Sequence, residues 1–151
     1  MDFSLLNNNL FVLNIHFEWI NNYSFKTVLF ISIGAILGAL SRYYLTVYFS
    51  RHSQVFPFGT LIINISGCFF MGIIAFLSQE LIVSIPFQLL FVTGFLGSYT
   101  TFSTYILESS NLWRNNKKKH SILYWIGSVI LGIIALELGI NLTKVVLIII
   151  Q

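Results

Sequence analysis

Four stretches of predominantly apolar residues, at 28–49, 56–77, 87–107 and 122–142, constrain this chain more than any single motif. A helix needs about 20 such residues to cross the hydrocarbon core of a bilayer. Backbone polar groups in lipid must be satisfied within the protein, so segments of this length are read as helices. The connections RHSQV, SQELIVSIP and NLWRNNKKKH are short. The expected fold is therefore an all-α membrane protein of four transmembrane helices. Composition agrees: 56% of the residues are hydrophobic, 9% are charged, and the mean hydropathy is +0.84. That balance lies far from a soluble domain. The net charge of +3 comes largely from one cluster and gives no footing for nucleic acid. A single cysteine, Cys68, excludes a disulfide framework within the chain and reads as a buried thiol.

The ends read differently. Residues 1–26 have no basic start, and Asn7, Asn8, Asn9 and Asn14 interrupt their apolar run, so they are not a signal peptide. Leu13, Ile15, Phe17 and Trp19 alternate with polar residues, as in an interfacial or disordered tail. The run VVLIII after Lys144 is too short to span. Residues 143–151 are expected to form a short C-terminal tail, leaving 27–142 as the membrane domain.

Small residues mark faces for close packing: Gly34 and Gly38 in the first stretch, Gly67 and Gly72 in the second, and Ser128, Gly132, Ala135 and Gly139 in the fourth. They let helix backbones approach in lipid. The third stretch is different, because Gly94, Gly97 and the run TTFSTY (residues 100–105) make a poor continuous helix. A break is expected near Ser98 to Thr101. Broken helices at membrane depth line cavities, and their freed carbonyls often bind ions.

Polar groups inside a span are costly and mark candidate sites. Thr60 and Asn64 lie at i and i+4 on one face of the second stretch, with Gly67 following. Asn64 reads equally as an anion donor and as an interhelical clamp on backbone. Tyr124 and Ser128 repeat the i, i+4 spacing in the fourth stretch, and Arg42 sits toward the end of the first, able to snorkel. Glu137 is read as the only acid well within a span. The absence of a central carboxylate or His points to passive conduction rather than proton coupling. Amide, hydroxyls and aromatic ring edges, the positive part of the ring quadrupole, suit a small anion that must bind without being trapped. No nucleophile–base pair or metal cluster points to an enzyme.

Three motifs in order, GAILGALSRY (34–43), FGTLIINISG (58–67) and TGFLGSYTTFSTY (93–105), resemble the fluoride channels called Fluc or CrcB. The resemblance covers about residues 28–142. It implies an antiparallel dimer of four-helix subunits in the cell membrane, with two fluoride pathways along the dimer interface. Fluoride leaves passively, which relieves its toxicity. It also implies that Asn64 is the pore-lining amide with Thr60 on its face, and that Phe102 is the first of two rings whose edges face fluoride. Tyr124 and Ser128 match the fourth-helix hydroxyls, while Thr101, Ser103 and Thr104 supply hydroxyls at the break. Gly97 and Thr100 match the positions whose carbonyls hold a structural sodium ion (Na+) between subunits. Tyr105 stands at the second ring position, where phenylalanine is usual. Its hydroxyl either bonds the anion or tethers the ring elsewhere.

Two other readings share the four-span pattern. A small multidrug antiporter needs an acid in its first span, and residues 28–49 hold none. A non-conducting structural subunit, paired with a conducting homologue, is compatible with composition. Lys26 and Lys144 flank one side of the expected topology, whereas Arg51, Arg114, Lys117, Lys118 and Lys119 flank the other, with Arg42 leaning their way. This bias predicts both termini outside. The partner is then an oppositely oriented paralogue, or a second copy if one sequence inserts both ways.

Overall fold

The computed structural model describes residues 25–50 and 56–150. The expectations for the N-terminal tail and for Arg51 lie outside the described residues. Five helical elements follow in order: α1 (Phe25–Ser50), α2 (Phe58–Gln79), α3 (residues 85–99), α4 (Phe102–Arg114) and α5 (Lys118–Ile150). No strand occurs among the described residues. Three helices, α1, α2 and α5, are long and apolar enough to cross a membrane. The stretch expected as the third crossing holds α3 and α4, separated at Thr100 and Thr101. Both of these residues have extended backbone, with ψ of 156° and 123°.

The ends of the elements follow from local chemistry. Pro86 lies in the first turn of α3, where its missing N–H costs nothing. Both α2 and α4 close with the paired backbone bonds of a left-handed C-cap. In α2, Ile82 N–H donates to Leu77 O (3.0 Å) and Leu81 N–H to Ser78 O (3.1 Å). In α4, Lys117 N–H donates to Leu112 O (2.9 Å) and Asn116 N–H to Trp113 O (3.2 Å). Asn116 tolerates its φ of 59°, whereas Leu81 at 57° costs about 1–2 kcal/mol.

One expectation changes. Helix α5 continues unbroken for 33 residues to Ile150, so VVLIII is its last turns rather than a separate tail. No Gly or Pro follows Gly139 to stop it. The Thr143 hydroxyl is absorbed by Gly139 O at 2.9 Å instead of competing for a turn.

The small residues pair the helices as the sequence predicts. Gly34 and Gly38 of α1 bring that helix onto the carbonyls of Leu90 and Phe95, and Gly94 answers from α3 against Ile31 O. Gly72 of α2 meets Leu136 O, and Gly139 of α5 meets Phe69 O. A Cβ at any of these would collide with backbone, which cannot yield as a side chain can. The α2–α5 and α1–α3 pairs accordingly carry most of the packing. They bring α2, the α3–α4 break and α5 together.

Most of α3 is π-helical, over Leu89–Leu96. Its wider turn brings residues four apart nearly into line. Phe87, Phe91, Phe95 and Tyr99 stack in a column with centroid spacings of 5.6, 5.2 and 5.4 Å and interplanar angles of 10°, 18° and 12°. The column ends at the break, where Tyr99 Oη meets Ser66 Oγ at 2.9 Å.

Candidate functional site

The break is held from α2. Asn64 donates from Nδ2 to Thr101 O (3.0 Å) and accepts from Thr101 N–H at Oδ1 (2.9 Å). This is the backbone clamp that the sequence left open. It uses one of the two amide N–H groups and leaves the other as donor capacity. Thr101 then caps α4, accepting at Oγ1 from Thr104 N–H (3.4 Å) and donating to Thr104 Oγ1 (3.1 Å). The Ser103 hydroxyl lies 3.3 Å from Thr101 Oγ1. The buried Gly67 makes room for the Thr100 methyl.

These bonds decide which carbonyls the break releases. In a continuous helix Gly97 O would accept from the amide four residues on, Thr101 N–H, which is bonded to Asn64 instead. Thr100 O would likewise accept from Thr104 N–H, which is bonded to Thr101 Oγ1. Gly97 and Thr100 are the two positions that the family resemblance assigns to sodium. Gly97 is exposed on the subunit surface, and only Val92 O lies near its hypothetical Cβ, at 3.7 Å. Hard carbonyl oxygens of this kind fit a monovalent cation.

Phe102 stands at the start of α4 with 74% of its surface exposed, beside a cavity of about 340 Å³ shared with Asn64, Gly67, Gly97 and Thr100. Its centroid is 5.7 Å from that of Tyr105. Tyr105 differs sharply: it is 5% exposed, and its hydroxyl donates to Trp125 O at 2.8 Å. Of the two roles open to the phenol, the structure realises the tether. The ring packs on Tyr124 at 5.2 Å.

The sequence reading passed over Glu108, and here it needs correction. The expected third span stopped at residue 107 because polar residues follow, yet α4 continues to Arg114 and holds Glu108 in its interior. Thr60 donates to Glu108 Oε1 and Tyr124 to Oε2, each at 2.8 Å. Glu137, expected to be the only acid within a span, is thus one of two, and it is exposed. The signal available in the sequence was the 102–105–108–112 spacing on one helix. Around Glu108 a second cavity of about 280 Å³, lined also by Thr46, Thr60, Asn111 and Lys117, opens toward the α4–α5 turn.

The remaining candidates separate. Ser128 donates to Tyr124 O of its own helix at 2.6 Å. Arg42 is half-buried on α1 with no ion pair among the described residues. Thr60 and Asn64 do share a face of α2, Thr60 lining the cavity at Glu108 and Asn64 the one at Phe102. Phe102, Tyr105, Tyr124, Glu108 and Thr60 form one connected polar and aromatic line, and Asn64 lies one turn of α2 from Thr60.

A bundle of long apolar helices packed around an interrupted helix defines a multi-pass membrane protein with a polar site at its break. Residues 29–140 match the family described as CrcB-like protein, Camphor Resistance (CrcB). The chain is 48% identical over 116 residues to a protein of Synechococcus sp. (strain JA-2-3B'a(2-13)) named Fluoride-specific ion channel FluC, covering 76% of this chain and 89% of that one. Proteins of the same name from Trichormus variabilis (47%, covering 76% and 85%) and Synechocystis sp. (44%, covering 77% and 91%) are similarly close. The chain belongs to the CrcB-like family, a family of ion channels and not of enzymes.

Proposed function

We propose that this protein is a passive, fluoride-selective channel that exports fluoride from the cytoplasm. The observation that carries the reading is the exposed Phe102 ring at a helix break whose backbone is clamped by Asn64. Relatives bearing the fluoride-channel name support it. In this reading α3 and α4 together make the third of four crossings, and two subunits pack antiparallel. The partner subunit covers the face that exposes Gly97 and Phe102. Fluoride meets the remaining Asn64 N–H and the positive edge of Phe102. It then passes Glu108, whose carboxyl must be protonated or turned aside to free the Thr60 and Tyr124 hydroxyls for an anion, toward the cavity at Lys117. Neutral donors bind the anion weakly enough to release it. Hydrogen fluoride is a weak acid that enters cells uncharged and dissociates there, and the membrane potential expels the anion through such a leak.

Gly97 O and Thr100 O, with the same pair from the second subunit, would hold a sodium ion, which supplies a fixed positive charge at the subunit junction. The chain's own contribution is to free those carbonyls by turning the amides of Thr101 and Thr104 to other acceptors.

Proteoliposomes of the purified protein, loaded with potassium fluoride and given valinomycin, test the function. Fluoride efflux without a proton gradient, and no chloride efflux, is the expected result. Absence of fluoride efflux refutes the reading.

A further inference from the structure

The two ends of the bundle differ in chemistry. The α4–α5 turn reads Arg114, Asn115, Asn116, Lys117, Lys118 and Lys119, as suits a turn in water. The opposite end, where α1 and α3 begin and α2 and α5 finish, presents apolar side chains instead. Helix α2, with 22 residues, is about 33 Å long, which uses up the roughly 30 Å of a hydrocarbon core. Residues past Gln79 therefore lie beyond the hydrocarbon. There Leu81 is 90% exposed and held at φ 57°, where Gly or Asn is usual, and Ile82 and Ile85 are exposed beside it. The Lys144 ammonium lies 5.5 Å from the Phe76 ring in the last turn of α2. Helix α5 then runs on to the level of this loop and finishes in the exposed Ile149 and Ile150. The first turn of α3 packs on α1, which adds the exposed Phe25. This apolar surface is an end face, directed along the membrane normal. A subunit packed beside the break covers the flank with Gly97 and Phe102 and leaves such a face uncovered. Clustered apolar surface that meets water marks a docking site.

The chain carries its own occupant for this face. Residues 1–24 lead into Phe25, which belongs to the face. Within them Leu13, Ile15, Phe17 and Trp19 alternate with Asn14, His16 and Glu18. A period of two puts the apolar set on one side and the polar set on the other. Extended, this stretch spans about 20 Å at roughly 3.3 Å per residue. That equals about two interaxial spacings of roughly 8–10 Å, the path from α1 over α2 to α5, which pack in that order. Asn21 and Asn22, common turn residues, precede α1 and permit the reversal. Charge agrees as well: Asp2 and Glu18 are the only Asp, Glu, Lys or Arg residues among 1–24, and Lys144 is exposed at this end. The stretch and the end of α5 also both fall outside residues 29–140, which the family match covers.

We propose that residues 13–19 dock across this end face as a cap. Leu13, Ile15, Phe17 and Trp19 lie against Leu81, Ile82, Ile85 and the tip of α5, and Asn14, His16 and Glu18 face water. The proposal does not depend on which ion the protein conducts.

Fluorescence of Trp19 in the full chain provides the test. A Trp113→Phe/Trp125→Phe/Cys68→Ser background leaves Trp19 as the sole tryptophan and removes the native thiol. A nitroxide, which quenches indole fluorescence at short range, is attached through Ser84→Cys at the face or through Lys119→Cys at the opposite end. In liposomes the label at position 84 should quench Trp19 more strongly than the one at 119. Brominated lipid and iodide in the medium should each quench it little. Adding Ile82→Ser and Ile85→Ser, both exposed and outside the bundle core, should weaken docking roughly tenfold or more per side chain and open Trp19 to iodide. If that variant cannot be purified, the two labels, lipid and iodide decide the matter in the unsubstituted face. No quenching from position 84 overturns the proposal. Quenching by brominated lipid places the segment in the bilayer, and free access of iodide leaves the face bare. Equal or stronger quenching from position 119 assigns the segment to the turn of an oppositely oriented second copy. Each of these overturns it too, as does quenching from position 84 that survives the double substitution.

Discussion

At the scale of single residues, two rings three positions apart have opposite environments, and this fixes what substitution should do. Phe102 is exposed within the subunit, so Phe102→Ile opens no core cavity and should leave the protein folded. Fluoride efflux should fall roughly tenfold or more, since about 1.4 kcal/mol of lost ring-edge stabilisation carries that factor. Unchanged efflux in proteoliposomes would remove the ring from the pathway. Tyr105→Phe deletes only the bond to Trp125 O and should lower thermal stability by about 1 kcal/mol. Because the hydroxyl is held by α5, efflux should stay similar or rise, and a collapse would mean that the tether sets the pore. Asn64→Asp turns an acceptor toward Thr101 O in place of a donor, so it disrupts the clamp as well as adding negative charge to the anion path. Conduction in that variant at the parent rate would exclude Asn64 from the site.

At the scale of elements, the break depends on how closely α2 approaches it. Gly67→Ala would drive a methyl into the Thr100 methyl. Overpacking of this kind costs about 1–3 kcal/mol and should displace the released carbonyls, with loss of efflux. Adding Thr100→Ser removes the colliding methyl and should restore conduction, and failure of this rescue would show that Gly67 acts through something else. Much of this level was legible in the sequence. The long apolar runs placed α1 and α2 to within a few residues and α5 at its start, the small residues identified the packing faces, and glycine plus hydroxyl density located the break. What stayed hidden depended on side chains from distant segments. Glu108 was overlooked because the apolar run ends at Leu107, and hydropathy does not see that Thr60 and Tyr124 arrive to satisfy a carboxylate. The end of α5 was misplaced for the opposite reason, since a short apolar run after a lysine looks like a tail when nothing marks it as helix. The stacked column of Phe87, Phe91, Phe95 and Tyr99 follows an i, i+4 spacing that was present in the sequence and was not singled out.

At the scale of the whole molecule, the distribution of charge bears on how two subunits meet. Arg114, Lys117, Lys118 and Lys119 lie at the α4–α5 turn, whereas the far end of the bundle carries Lys26, Lys144 and the acid Glu80. Lys144 lies partly over the Phe76 ring, 5.5 Å from its centroid. Short loops rich in Lys and Arg stay in the cytoplasm, so the turn should face inward and both ends of the described chain outward. An antiparallel pair needs one subunit of each orientation. A sequence with nearly balanced ends supplies both from one chain, but this one is biased toward a single insertion. Its antiparallel partner is then expected to be a homologous chain of opposite bias, in a paralogue heterodimer. The measurement starts from a Cys68→Ser background with a cysteine introduced at Lys119, labelled in intact cells by a membrane-impermeant thiol reagent before and after permeabilisation. Labelling only after permeabilisation is the expected outcome. Comparable labelling in intact cells would mean that both orientations coexist, which makes the dimer a pair of identical chains. The charge bias would then be too small to override dual insertion, and the two copies of the break would be related by strict symmetry.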